Sequence, residues 1–267
     1  MAPRRREPVA YGDVRIDVIL DGETPLFGPC VVLLPSSARD SEDFDDFARR
    51  LAGSGMLVLR PQPRGMCGST GPMEGLTLHD LARDVAAVIA QKAGGPAHVL
   101  GHAFGQWVAR TLAADHPALV RSVILAAAAA KRIDPALREA LAVCGDPARP
   151  RAERLAALRT AFFAPGHDPS PWLDNWHPRA GVAQRAATAQ TDWWHGGTAP
   201  ILDLQAALDP WRPPETAHAL REELGADRVT VRRIENASHA LIPEQPEAVA
   251  RAVLDWIHSL TPERQPP

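Results

Sequence analysis

The chain has few cysteines, few aromatic residues and no long apolar run. Cys30, Cys67 and Cys144 are its only cysteines, and their wide spacing predicts neither a disulfide framework nor a cysteine-based metal motif. No apolar segment reaches the roughly 18 residues that a membrane-spanning helix needs. The basic first residues are not followed by the apolar core of a signal peptide. We therefore expect a cytoplasmic protein.

The chain also lacks a strong charge of either sign. Its net charge is -3 over 267 residues, which gives no basic field for nucleic acid or anionic lipid. We therefore expect a small-molecule substrate, with no nucleic-acid or membrane partner, in a protein that is either a monomer or a homodimer.

Apolar segments with the patterns of strands and helices alternate along most of the chain. Alternating residues over 11–20 are typical of a half-buried strand, whereas short continuous apolar runs are typical of strands covered on both faces. The predicted strands cover 11–20, 31–34, 56–59, 97–100, 122–125, 200–204 and 228–234. Helical patterns separate most of them, which predicts an α/β fold with a mostly parallel sheet covered on both faces.

The alternation stops between Lys131 and Thr198. This stretch is rich in Ala, Arg and Leu, carries several prolines and contains four tryptophans. We interpret 131–198 as a helical lid inserted into a core formed by 1–130 and 199–267. The tryptophans predict an apolar, aromatic pocket beneath the lid.

One short motif carries a chemical prediction. Gly101-His102-Ala103-Phe104-Gly105 lies between an apolar strand and an amphipathic helix. Its glycines allow the strand and the helix to pass close to a strained central residue. The free N–H groups at the start of the helix stabilise negative charge.

This strand, turn and helix resemble the nucleophile elbow of the α/β-hydrolase superfamily. The resemblance extends from about residue 14 to residue 260 and implies the α/β-hydrolase fold. Asp209 and His239 match the acid and the histidine, which follow the nucleophile in that order along the chain. The resemblance implies an oxyanion hole formed by the Phe104 and Ser37 N–H groups, with a hydroxyl of Ser36 or Ser37.

The chain departs from this family at the nucleophile, because Ala103 occupies the position of the attacking serine. Ester or lactone hydrolysis is then possible in two ways. Either Ala103 is an engineered replacement in a serine hydrolase, or it is natural and the Asp209–His239 pair activates water. A second departure, Pro35-Ser36 where many members have His-Gly, favours a natural alanine. Two alternatives stay open: non-hydrolytic base catalysis of the lyase, cyclase or cofactor-free oxygenase type, and ligand binding without catalysis.

Five further residues are candidates for binding the substrate. His102 lies beside the elbow, and Trp193 and Trp194 precede the strand that leads to Asp209. Trp172 and Trp176 lie in the predicted lid. No histidine or cysteine cluster has metal-ligand spacing, and the glycine-rich turn is not a dinucleotide motif, so we expect neither a metal nor an organic cofactor. Cys67 is a conceivable substitute nucleophile, but we interpret it as structural.

Overall fold

The computed structural model describes residues 3–23, 29–189 and 191–260. Eight strands form one sheet in the spatial order β1-β2-β4-β3-β5-β6-β7-β8. The pairings β1/β2 and β2/β4 are antiparallel, and the other five are parallel. The strands are β1 (Arg4–Tyr11), β2 (Val14–Asp21), β3 (Cys30–Leu34), β4 (Leu57–Pro61), β5 (Ala97–His102), β6 (Val120–Ala126), β7 (Ile201–Ala206) and β8 (Val229–Ile234).

Helices cover both faces of the sheet. In chain order they are α1 (Asp45–Gly53), α2 (Leu78–Lys92), α3 (Gly105–Asp115), α4 (Pro135–Gly145), α5 (Arg151–Ala161), α6 (Pro178–Ala187), α7 (Ala219–Leu224), α8 (Leu241–Glu244) and α9 (Pro246–Ser259). One apolar cluster joins α2 and α3 to the sheet, and a second joins α1 and α9 to its opposite face.

The central strands are buried on both faces because helices lie on each side. Every residue of β3, β5 and β7 is buried, as the continuous apolar runs predict for parallel strands. Helix α2 begins with a capping box in which Thr77 and Asp80 satisfy each other's backbone N–H groups. The predicted α/β fold with a doubly covered, mostly parallel sheet is confirmed.

The stretch between β6 and β7 contains α4, α5 and α6, with short 3-10 helices at Ser170–Leu173 and Asp192–His195. A separate apolar cluster holds α4 and α5 to the loops that follow β7 and β8. Within this segment, residues 127–200, α4 and α5 therefore pack over the edge of the sheet at which the parallel strands end. The division into a core and a lid at 131–198 stays a prediction.

Two details of the strands differ from the sequence-based expectation. The predicted strand 11–20 starts too early: Tyr11 ends β1, and β2 begins only at Val14. Gly12, with a φ of +52°, turns the chain between these two antiparallel strands. Strand β1 was not predicted, since it is an edge strand whose Arg-rich sequence has little apolar alternation. No helix in the described residues is long and apolar enough to cross a membrane.

Candidate active site

The predicted elbow is a tight turn from β5 into α3. Ala103, at its centre, has a φ of +48°, a strained conformation for a residue other than glycine. A Cβ on Gly101 would lie 2.3 Å from the Gln106 nitrogen, and one on Gly105 would lie 2.3 Å from the Leu34 oxygen. Both positions therefore require glycine so that β5, α3 and β3 can approach one another.

Asp209 and His239 meet beside this turn. His239 follows β8, Asp209 follows β7, and both side chains are buried. The Nδ1 atom of His239 lies 3.1 Å from Oδ1 and 3.0 Å from Oδ2 of Asp209. Since a carboxylate can only accept, Nδ1 carries the proton and Nε2 is left as a base.

Two further contacts hold the acid and the histidine in place. The backbone N–H of Trp211 donates to Oδ1 of Asp209 at 2.9 Å. The buried carboxylate of Glu244 accepts from the N–H groups of Ser238 and Ala164, at 2.6 and 2.5 Å. Burial raises the pKa of Glu244. This carboxylate joins the loop of His239 to the segment 127–200.

His102 lies behind the pair rather than in contact with open space. It is 2% exposed, and its Nε2 lies 2.7 Å from the backbone oxygen of His239. Burial and the neighbouring His239 lower the pKa of His102 to about 4. The ring is therefore neutral near pH 7 and donates from Nε2 to the His239 backbone oxygen, which helps to position His239. The predicted substrate-binding role of His102 has no support from this geometry.

Two loops contribute residues to the same region beside His239. Ser36 and Ser37 follow β3, and Phe104 precedes α3. Within the described residues, the N–H groups of Ser37 and Phe104 have no acceptor. Gln184 of α6 orients the first loop, because its Oε1 accepts from the Ala38 N–H at 2.8 Å and lies 3.3 Å from the Ser37 hydroxyl.

A cavity of about 600 Å³ opens above these groups. Its lining includes Ala103, Phe104, His239 and both serines, so the structure brings the predicted nucleophile position, histidine and oxyanion loops to one space. Asp209 is reached through His239. The remaining lining is mainly apolar and includes two exposed arginines, Arg138 and Arg185. The other lining residues are Gln106, Trp107, Ala129, Ile133, Leu141, Ala142, Phe162, Thr188 and Trp211.

The four tryptophans predicted to bind substrate are absent from this lining. Trp193 stacks against the back of Trp107, with ring centroids 5.4 Å apart. Trp194 packs over Arg110 and lines a separate pocket of about 270 Å³. Trp172 and Trp176 both pack on the Arg39 guanidinium. Their positions indicate roles in packing the segment 127–200 against the rest of the chain.

Besides Phe104, the aromatic residues Trp107, Phe162 and Trp211 line the cavity. Trp211 stacks on the His239 ring, with centroids 5.0 Å apart and planes inclined by 29°. None of Trp107, Phe162 and Trp211 was predicted from the sequence. Their positions in the sequence offered a clue, because Trp211 lies two residues after Asp209 and Trp107 lies four residues after Ala103, the centre of the elbow.

The fold, the elbow and the chain order of Ala103, Asp209 and His239 are those of one class of protein. The model of the alpha/beta hydrolase family matches residues 31–252. The chain belongs to this family.

Individual relatives are distant. The chain is 27% identical to rhodomycin D methylesterase DauP of Streptomyces sp. (strain C5), with 78% of this chain and 84% of that protein covered. Rv0554 of Mycobacterium tuberculosis has a similar structure, with a TM-score of 0.79, 21% identity and coverage of 96% and 100%. A thermophilic esterase from Thermogutta terrifontis has a TM-score of 0.75, 21% identity and coverage of 97% and 99%. These two likenesses show the fold.

Proposed function

We propose that this protein hydrolyses an ester or lactone bond of an apolar small molecule, with the Asp209–His239 pair activating a water molecule. The observation that carries the proposal is the ordered pair of Asp209 and His239 at the wall of a large, mainly apolar cavity. Ser37 and Phe104 also line this cavity, and their backbone N–H groups have no acceptor among the described residues. A pocket that only bound a ligand would gain nothing from a buried histidine held in one tautomer by a carboxylate.

In this mechanism, Nε2 of His239 removes a proton from water, and the hydroxide attacks the carbonyl carbon. Asp209 stabilises the imidazolium that forms. The carbonyl oxygen becomes an oxyanion, for which the Phe104 and Ser37 N–H groups are the donors. His239 then returns its proton to the leaving oxygen, so that the products are a carboxylic acid and an alcohol. No covalent intermediate forms, because Ala103 has no nucleophilic atom.

The cavity also suggests the kind of substrate. The four aromatic residues in its wall, Phe104, Trp107, Phe162 and Trp211, favour a flat or cyclic apolar molecule. DauP, by its name, is a methylesterase that acts on rhodomycin D, and this likeness supports hydrolysis of an ester. The first assay is therefore a panel of aryl and polycyclic methyl esters and lactones, with release of acid and alcohol measured by chromatography. Binding of these compounds without product release would contradict hydrolysis.

Ala103 specifically favours a second candidate, non-hydrolytic base catalysis by the same pair. A general base needs no serine, and His239 could remove a proton from a bound carbon acid as readily as from water. The variant Ala103→Ser separates the two candidates. If the site is built for acyl transfer, we expect this variant to hydrolyse activated esters at least about 10²-fold faster than the wild type.

The control for this gain is the double variant Ala103→Ser with His239→Ala, which should lose it because the serine would have no base. The absence of any gain in the single variant would favour the non-hydrolytic candidate. The result also tests whether Ala103 replaced a serine in an otherwise intact serine hydrolase.

A further inference from the structure

A second group of reactive side chains lies apart from the cavity. Asp40 follows β3, Cys67 lies in the loop after β4, and His177 immediately precedes α6. The Asp40 Oδ2, Cys67 Sγ and His177 Nε2 atoms lie within 4.8 Å of one another. None of the three lines the cavity beside His239. We propose that they form a zinc-binding site that fastens α6 to the sheet.

The separations between the three atoms are those expected around one metal ion. Tetrahedral zinc, with bonds of about 2.3 Å to sulfur and about 2.0–2.2 Å to nitrogen and oxygen, holds its ligand atoms about 3.4–3.6 Å apart. The Cys67 sulfur lies 3.6 Å from Oδ2 of Asp40 and 3.8 Å from Nε2 of His177. The nitrogen and the oxygen are 3.1 Å apart. Shifts of a few tenths of an ångström would complete the geometry.

The arrangement differs from that of a catalytic cysteine with a histidine and an acid. In such a relay the thiol and the carboxylate contact opposite nitrogens of the imidazole ring. Here both approach the same atom, Nε2 of His177. Burial and the nearby Asp40 also raise the pKa of Cys67 to about 11, which disfavours a thiolate nucleophile in the metal-free protein.

The chemistry of the donor atoms selects the metal. A thiolate, an imidazole and one carboxylate suit zinc, whereas magnesium and calcium prefer oxygen alone. The other oxygen of Asp40 accepts from the Glu42 N–H at 2.9 Å, which orients the carboxylate towards the trio. Cys67 and His177 are partly exposed, so an ion can enter and a water molecule can take the fourth position.

The site would join segments that are far apart in the sequence. Asp40 and Cys67 are 27 residues apart, and His177 is 137 residues beyond Asp40. The backbone N–H of His177 also donates to the Ala38 oxygen at 2.9 Å. A bound ion would therefore fix the start of α6 to the loop that carries Ser36 and Ser37. This inference does not depend on which reaction His239 catalyses.

Metal-free protein, prepared with a chelator, can be titrated with Zn²⁺ by calorimetry and with Co²⁺ by absorption spectroscopy. We expect one ion per chain, and a cobalt–thiolate charge-transfer band in the near ultraviolet. The thermal midpoint should rise by about 5–10 °C when free Zn²⁺ is about 100-fold above the Kd. These measurements use the unaltered chain, so they hold even if a variant fails to fold.

The variants Cys67→Ser and His177→Ala should each weaken Zn²⁺ binding at least about 10-fold, and Cys67→Ser should abolish the cobalt band. His195→Ala is the matched control, because His195 is an exposed histidine of the same segment, outside the trio, and it should bind Zn²⁺ as the wild type does. A wild type with no stoichiometric binding would overturn the proposal. So would binding that survives both substitutions.

Discussion

Asp209→Asn tests the acid–base pair most selectively, because the structure dictates which tautomer the variant would hold. The Trp211 N–H donates to Oδ1 of Asp209, so in the variant the amide oxygen must stay at that position. The amide NH₂ group then takes the place of Oδ2, which lies 3.0 Å from Nδ1 of His239. Nδ1 would then face a donor at 3.0 Å and keep the amide oxygen at 3.1 Å. Losing the nearer of its two acceptors favours a shift of the His239 proton from Nδ1 to Nε2.

The consequence is the loss of the base at Nε2. The equivalent substitution in a serine protease triad, which leaves the wrong tautomer, lowers kcat about 10⁴-fold. We therefore expect kcat to fall about 10³–10⁴-fold in Asp209→Asn, equivalent to about 4–5 kcal/mol of transition-state stabilisation. KM should change little, because Asp209 does not line the cavity.

The assay is steady-state hydrolysis of the best ester from the panel, with folding checked by circular dichroism and thermal unfolding. Asp115→Asn is a matched control, since Asp115 contacts the Nδ1 of a surface histidine, His79, at 2.7 Å. This control should keep the activity of the wild type. A kcat within 10-fold of the wild type in Asp209→Asn would refute the tautomer argument.

Two further predictions concern the stability of the fold. In Gly105→Ala, the new Cβ would lie 2.3 Å from the Leu34 oxygen, so the free energy of unfolding in denaturant should fall by about 3 kcal/mol or more. The control Gly95→Ala, with open space around its Cβ, should change it by less than about 1 kcal/mol. Equal effects of the two substitutions would contradict the close approach of α3 and β3. Burial lowers the pKa of His98 to about 4. Its pKa in the unfolded chain is near 6.5, so below that pH the unfolded chain binds a proton that the folded chain excludes. The free energy of unfolding therefore has its full value above pH 6.5 and falls by about 2 kcal/mol by pH 5. In the variant His98→Asn, the free energy of unfolding should fall by about 2 kcal/mol less between pH 7 and pH 5 than in the wild type. The same fall in both proteins would contradict the burial effect.

The sequence predicted the fold because strands and helices depend on local patterns, whereas the candidate site residues came from the resemblance to a known family. The strands are short apolar runs, and Ala103, Asp209 and His239 each follow a strand. That they meet was implied by the resemblance to the α/β-hydrolase superfamily, and it agrees with the rule that the carboxyl ends of parallel strands lie at one edge of a sheet. The structure brings them together as that reasoning requires.

The lining of the cavity was not predictable in the same way. Which tryptophan reaches the cavity depends on how the segment 127–200 packs, and that packing puts Trp193 behind Trp107. The contact of Asp40, Cys67 and His177 was also hidden, because their separations in the sequence match no metal-binding motif. Both features arise from tertiary structure, on which spacing along the chain carries little information.

We propose that His239, held by Asp209, acts as the base in this cavity. The most direct test is kcat/KM of His239→Ala on the best ester from the panel, beside the wild type and His195→Ala. We predict that His239→Ala loses at least about 10³-fold in kcat/KM, while His195→Ala matches the wild type. Activity in His239→Ala equal to that of the wild type would contradict the claim.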